Sequence, residues 1–212
     1  MKLCPACELP LTTPLVCTNC NAFQTVDAAQ NPFNVLGLEP SWAVDPKQLK
    51  RNLLRFSRFV HPDFFASEEE EVRENAERAS AALNSAYEIL HNDLARADWL
   101  VNSLGGPMES EDREMPQAFL MQVMEWSEIL EDAKSATPDS PEWKATQPLA
   151  DELHSERAKR LQAIGTLLAP LPEEASDTLA TARREINAIR YIDRARKELK
   201  SLQLTAALGG PN

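Results

Sequence analysis

Histidine, glycine and long apolar runs are all scarce in this 212-residue chain. Three histidines leave little material for acid–base chemistry, and no serine elbow, HExxH helix or glycine-rich phosphate loop accompanies them. Six glycines, set against long Ala/Leu/Glu/Arg-rich runs, argue for helix over sheet. No apolar run approaches the roughly 20 residues that a membrane-spanning helix needs. The opening MKLCPACELP has neither the apolar core of a secretory signal nor the Arg/Ser-rich pattern of a transit peptide. A cytoplasmic protein is therefore expected, with a trimmed organelle form as the alternative. Positive charge is also short: 22 basic against 33 acidic residues give −11, which argues against a nucleic-acid binder. What is there, at 43% hydrophobic, suits a folded globular protein.

Cysteine occurs four times, always within the first 20 residues, as Cys4-Pro-Ala-Cys7 and Cys17-Thr-Asn-Cys20. Each CxxC can form a tight knuckle presenting two thiolates, and two knuckles complete a tetrahedral Cys4 site. Pro14 and Asn19 suit the turns this needs. Zinc is the first choice because such a site is closed, leaving no position for substrate; iron on four thiolates stays open on geometry. Two disulfides would need an oxidising compartment, which nothing in the sequence supports. A segment of about 25 residues cannot bury a core of its own, so metal would supply its folding energy.

Beyond Phe23–Gln30, which reads as a linker, the periodicity is helical. Asn31-Pro32-Phe33-Asn34-Val35-Leu36-Gly37 reads as a short helical turn ended by glycine. Asp45-Pro46 supplies an N-cap and a first-position proline. From there Leu49, Leu53, Phe56 and Val60 form one apolar stripe, while Lys47, Arg51, Arg55 and Arg58 lie about 200° around the same helix. Pro62 ends it. The next helix is expected from Ser67, with Glu70 closing a capping box, and Val72, Ala76, Ala79, Leu83, Ala86 and Leu90 make its seam. A shorter helix, Leu94 to Leu104, closes at Gly105-Gly106-Pro107. After the acidic stretch 108–115 come three amphipathic patterns: Pro116 to Lys134, a second from Pro148 carrying Leu153, Leu161, Ile164 and Leu168, and a third from Ser176 to Leu204. The expected fold is all-α, in three parts: a Cys4 module at 1–26, a helical hairpin unit at 27–107 and a three-helix bundle at 108–208.

The hairpin joins its two helices through His61-Pro62-Asp63, and charge is polarised around that turn. Residues 41–65 carry +3 and residues 66–80 carry −4, a pattern that suits recognition of protein partners. A hydrolytic site at His61 and Asp63 would need a nucleophile or metal beside them, and the sequence offers none. A basic amphipathic helix, then HPD, then a long helix ending Asn84-Ser85-Ala86-Tyr87-Glu88-Ile89-Leu90, closely resembles a J-domain. His91-Asn92-Asp93-Leu94-Ala95-Arg96-Ala97-Asp98-Trp99-Leu100, Ala118-Phe119-Leu120-Met121 and Ile189-Arg190-Tyr191-Ile192-Asp193 extend the resemblance to HscB, the J-protein co-chaperone family of iron–sulfur cluster assembly. The likeness covers roughly residues 31–204, and the doubled CxxC is similar to the zinc-bearing members, including the animal mitochondrial type.

The resemblance implies a non-enzymatic co-chaperone with two binding surfaces. His61, Pro62 and Asp63, with Lys50, Arg51, Arg55 and Arg58, would engage an HscA/DnaK-type chaperone and stimulate its ATPase. Phe64 departs from the pattern, standing where lysine often follows HPD. Leu120, Met121, Met124, Glu125, Glu128 and Asp132, with Tyr191 in the place usually held by phenylalanine, would bind an IscU-type iron–sulfur scaffold. Those six helix positions share one face, and the resemblance implies that Phe119 and Val123 turn inward. No nucleic acid or membrane is expected among the partners; a mature protein of the mitochondrial matrix is the organelle alternative. A general J-protein, or a metal-binding adaptor without iron–sulfur specificity, is the alternative function.

Overall fold

The computed structural model describes residues 2–24, 31–137 and 140–207. Among these the expected all-helical architecture holds, the only pairing outside helices being two isolated bridges, Leu3–Pro10 and Val16–Phe23. No described helix is long and apolar enough to cross a membrane. The chain separates into two compact units, residues 1–99 and 100–212.

In the first unit, α1 (Pro32–Val35) is capped by Asn31, whose side chain accepts from Phe33 and Asn34 N–H. Its chain leaves through Gly37, at φ +62°, where a Cβ would come within 3.1 Å of the Thr12 carbonyl oxygen. α2 (Pro46–Val60) starts under the Asp45 cap. Leu49, Phe56 and Val60 are buried and Leu53 is half-buried, so the apolar stripe does face inward. α3 (Glu70–His91) packs antiparallel on α2 through Ala76, Ala79, Leu83, Ala86 and Leu90, all buried. The small alanines let the two helices approach closely. α3 begins three residues later than the Ser67 capping box predicts. Pro62–Phe65 instead forms a 3-10 turn that continues through Glu68 N–H to Phe65 O, and Glu69 caps α3 without a side-chain hydrogen bond. The acidic residues Glu70 and Glu71 in the first turn complement the helix dipole there.

α4 (Asp93–Ser103) is fastened by Arg96, which is buried yet donates to the Trp42 and Leu90 carbonyls at 3.0 and 2.5 Å and to Asp93 at 2.6 Å. Phe23 and Gln24, read as linker, belong to the cysteine module: Phe23 bridges to Val16 and Gln24 N–H donates to Leu15 O. The rest of that segment lies outside the described residues.

In the second unit α5 (Gln117–Ser135), α7 (Thr146–Leu168) and α8 (Asp177–Ala207) form the bundle. A one-turn α6 (Pro141–Lys144), which periodicity did not reveal, leads into α7. Phe119, Trp126, Leu130, Leu149, Leu153, Ile192 and Leu199 close the core. The acidic stretch 108–115 is held against α8. Asn187 donates to the Asp112 and Glu114 carbonyls at 2.9 Å, Arg184 pairs with Asp112 and Glu114, and Arg190 pairs with Glu109.

Candidate docking surfaces and metal centre

The four thiols sit on two near-identical knuckles. In the first, Cys4 N–H donates to Leu9 O and Glu8 N–H to Cys4 O; in the second, Cys17 N–H donates to Ala22 O and Asn21 N–H to Cys17 O, all at 2.8–2.9 Å. Each knuckle needs a left-handed residue just after its second cysteine, and Glu8 and Asn21 take φ values of 60° and 59°. The four sulfurs lie within 4.8 Å of one another, with Cys4–Cys20 and Cys7–Cys17 each 3.7 Å apart. A tetrahedron of thiolates about 2.3 Å from a central ion has edges of about 3.8 Å, so the set could hold a metal ion.

The protonation pattern points the same way. Backbone N–H groups of Cys20 and Asn19 hold the Cys17 thiol down at about 6. At Cys20 the Ala22 N–H favours the thiolate, yet lost hydration and the sulfurs of Cys7, Cys17 and Cys4 together push it up to about 12. Four sulfurs this close do not ionise together without a cation among them. The module is seated on the helical unit: Thr13 Oγ1 donates to Val35 O at 2.9 Å, and Phe23 meets Phe65 edge-on with ring centres 5.0 Å apart.

The HPD turn ends α2 in the open. His61 has extended backbone (φ −67°, ψ 123°) because Pro62 follows it, and its Nδ1 accepts from Asp63 N–H at 3.3 Å. The side chains of His61 and Asp63 are 50% and 86% exposed and lie 3.7 Å apart, so the turn presents its functional groups outward. Among the described residues nothing beside them supplies a nucleophile. Lys50, Arg51, Arg55 and Arg58, together with Lys47, are exposed on α2, and none forms an ion pair among the described residues. Two apolar residues share this surface that helix periodicity did not bring out. Leu54 is 55% exposed in the middle of the basic face, and Phe64 is 67% exposed with its ring edge against His61. Leu54 falls out of phase with the buried stripe, which was the signal available for it.

On α5, Leu120, Met121, Met124, Glu125, Glu128 and Asp132 are all exposed, and Met121 and Met124 stand 64% and 67% open. Phe119 and Trp126 turn inward, edge-on to each other. Tyr191 on α8 is half-buried at the margin of this stripe. Its ring meets Phe119, and its hydroxyl lies 2.7 Å from Ser127 Oγ.

Known proteins resemble this chain in sequence and in fold. Residues 115–200 match the family model of the HSCB C-terminal oligomerisation domain. The co-chaperone protein HscB homolog of Bordetella avium is 31% identical over 177 residues, covering 83% of this chain and 99% of that protein. The chain belongs to the HscB co-chaperone family. The HscB homolog of Pseudoalteromonas atlantica is 30% identical over 171 residues, covering 80% of this chain and 94% of that one. The crystal structure of human co-chaperone protein HscB shares the fold, with a TM-score of 0.76 at 22% identity over 96% of this chain and 99% of that one.

Proposed function

We propose that this HscB-family protein carries an IscU-type iron–sulfur scaffold to an HscA/DnaK-type chaperone and stimulates the chaperone's ATPase through His61, Pro62 and Asp63. It acts by binding and not by catalysis of its own. One observation carries the reading: His61, Asp63 and the cations of α2 are exposed on one unit, and among the described residues the only ion pair they form is that of His61 with Asp63 inside the turn. A turn whose side chains were needed for folding would be packed or paired; this one is left for a partner. Docking there favours the chaperone's hydrolysis-competent state by differential affinity. Lys50, Arg51, Arg55 and Arg58 steer the encounter, and Leu54 and Phe64 add apolar contact.

Leu120, Met121, Met124, Glu125, Glu128, Asp132 and Tyr191 hold the scaffold, the two methionines offering an adaptable apolar surface. Zinc is the metal assigned to Cys4, Cys7, Cys17 and Cys20: four thiolates in a closed tetrahedron make a structural site whose chemistry is to hold the two knuckles together. The functional division follows: a zinc module at 1–26, a J-domain at 27–107 and a scaffold-binding bundle at 108–208, in a protein of the cytoplasm or the mitochondrial matrix.

ATP hydrolysis by an HscA/DnaK-type chaperone, measured with the protein present and with an IscU-type scaffold added or withheld, tests the reading. Stimulation by wild type, its loss in His61→Gln, and a further rise with scaffold are expected. Stimulation indifferent to scaffold reduces the protein to a general J-protein. No stimulation of any chaperone by a folded sample overturns the docking role.

A further inference from the structure

α8 places Asn187, Arg190, Tyr191 and Arg194, at i, i+3, i+4 and i+7, on one face. That face lines a cavity of about 500 Å³ whose other wall includes Glu109, Arg113 and Met115. Three arginines and one glutamate give this cavity a net charge of +2, in a chain whose total is −11. Arg190 is paired to Glu109 at 2.7 Å. Arg113 and Arg194 are exposed and have no ion-pair partner among the described residues. The carboxylates nearest in sequence are committed elsewhere: Asp112 and Glu114 to Arg184, and Asp193 to Arg157 and Arg196. Two guanidiniums are thus left open at the mouth of a concave site in an acid-rich protein.

Tyr191 lies at the margin of the α5 stripe, and a smaller pocket lined by Ser127, Glu131, Lys134 and Glu198 shares Tyr191 and Arg194 with the cavity. Ser127 and Glu131 follow Met124 and Glu128 of the stripe by three residues, one helical turn, so a partner that covers the stripe and Tyr191 is placed to reach Arg194. A nucleic acid or other polyanion is disfavoured because Glu125, Glu128 and Asp132 stand exposed on that same stripe. A protein surface of mixed charge satisfies both. Resting on the scaffold-docking role above, we infer that this cavity receives the carboxylate of an Asp or Glu on the scaffold, held by Arg113 and Arg194. The contact face then has two poles. The acidic α5 stripe takes a basic patch of the partner and the cavity takes an acidic side chain, with Tyr191 between them. Opposite charges at the two ends fix the partner's direction along the face, which an apolar stripe alone leaves open.

The test is a calorimetric titration of the full chain with an IscU-type scaffold at about 50 mM salt, where screening is weak. Arg113→Glu combined with Arg194→Glu is expected to raise Kd at least about tenfold, and the corresponding double lysine variant by less than about threefold. One scaffold variant with a surface Asp or Glu changed to Arg is expected to restore binding to the double glutamate variant. Unchanged thermal melts exclude misfolding as the cause, both residues being exposed and outside the ion pairs formed among the described residues. If Met121→Ala with Met124→Ala weakens binding but the charge reversal does not, the cavity assignment falls and the stripe survives. A tenfold loss that no scaffold variant restores also overturns the cavity. If wild type fails to bind, or the methionine variant binds like wild type, the docking role falls and takes the cavity with it.

Discussion

Gly105 and Gly106 sit side by side at the end of α4 for different reasons. Gly105 has φ +75°, and a Cβ there would meet no clash, only ordinary contact with Ala175 N at 3.8 Å. At Gly106 a Cβ would fall 2.7 Å from Val101 Cγ1, 2.8 Å from Leu179 Cβ and 2.9 Å from Val101 O. Gly105→Ala should therefore cost about 1 kcal/mol, the backbone strain alone, and Gly106→Ala about 2 kcal/mol or more, because two of its neighbours cannot rotate away. Urea midpoints of the two variants measure the difference. The sequence announces that a helix ends at this dipeptide, and nothing in it says which glycine is crowded. Arg96 and Arg183 show the same limit. Both are buried, and both are satisfied by carbonyl groups that come from distant segments, Trp42 for one and Pro107 for the other. A lone arginine in a helix reads as solvated until those carbonyls are placed.

At the scale of the element, α5 presents two faces of opposite exposure. Trp126 is 1% exposed and donates from Nε1 to Glu152 at 3.0 Å, while Met124 is 67% exposed. Trp126→Ala should lose about 3–5 kcal/mol of stability, and Met124→Ala should stay within about 0.5 kcal/mol while weakening scaffold binding. Chemical denaturation alongside a binding titration separates the two. Periodicity made the inward residues of α2 and α3 legible, since a single buried face repeats every 3.6 residues; on α5 it was the family resemblance that turned Phe119 inward, and Trp126 went unassigned. Periodicity could not assign a use to the outward faces, because solvation and partner docking leave the same pattern. It also misplaced the start of α3. Ser67 and Glu70 have the spacing of a capping box, but the proline-initiated turn at 62–65 takes up the chain first. The single turn of α6 is too short to show any period.

For the whole molecule, the proposed metal would make the cysteine module the part most dependent on something outside the chain. Leu15 and Val16 are fully buried beside the knuckles, yet only a handful of apolar residues support the first 24. Removing metal should raise amide exchange across residues 2–24 and at α1, whose Val35 carbonyl accepts from Thr13, and leave α7 and α8 unchanged. Binding requires thiols that have lost their protons, so metal affinity should fall as pH falls. With more than one proton taken up per ion released, a chromogenic chelator should report more than a tenfold loss per pH unit once the thiols begin to protonate. The pairing of two CxxC motifs was plain in the sequence; the seating of the module against Val35, Gly37 and Phe65 was not, because it rests on backbone carbonyls and ring edges. The hold of Arg183 on Asn102 and Pro107, and of Asn187 on Asp112 and Glu114, bears on how the protein is made. These contacts join positions more than 70 apart in the chain. On the ribosome the hairpin of α2 and α3 can close as soon as it emerges, since its contacts are local. The second unit has to wait for α8, the last of the described helices, so the unit that carries the HPD turn is finished while the other is still an open chain.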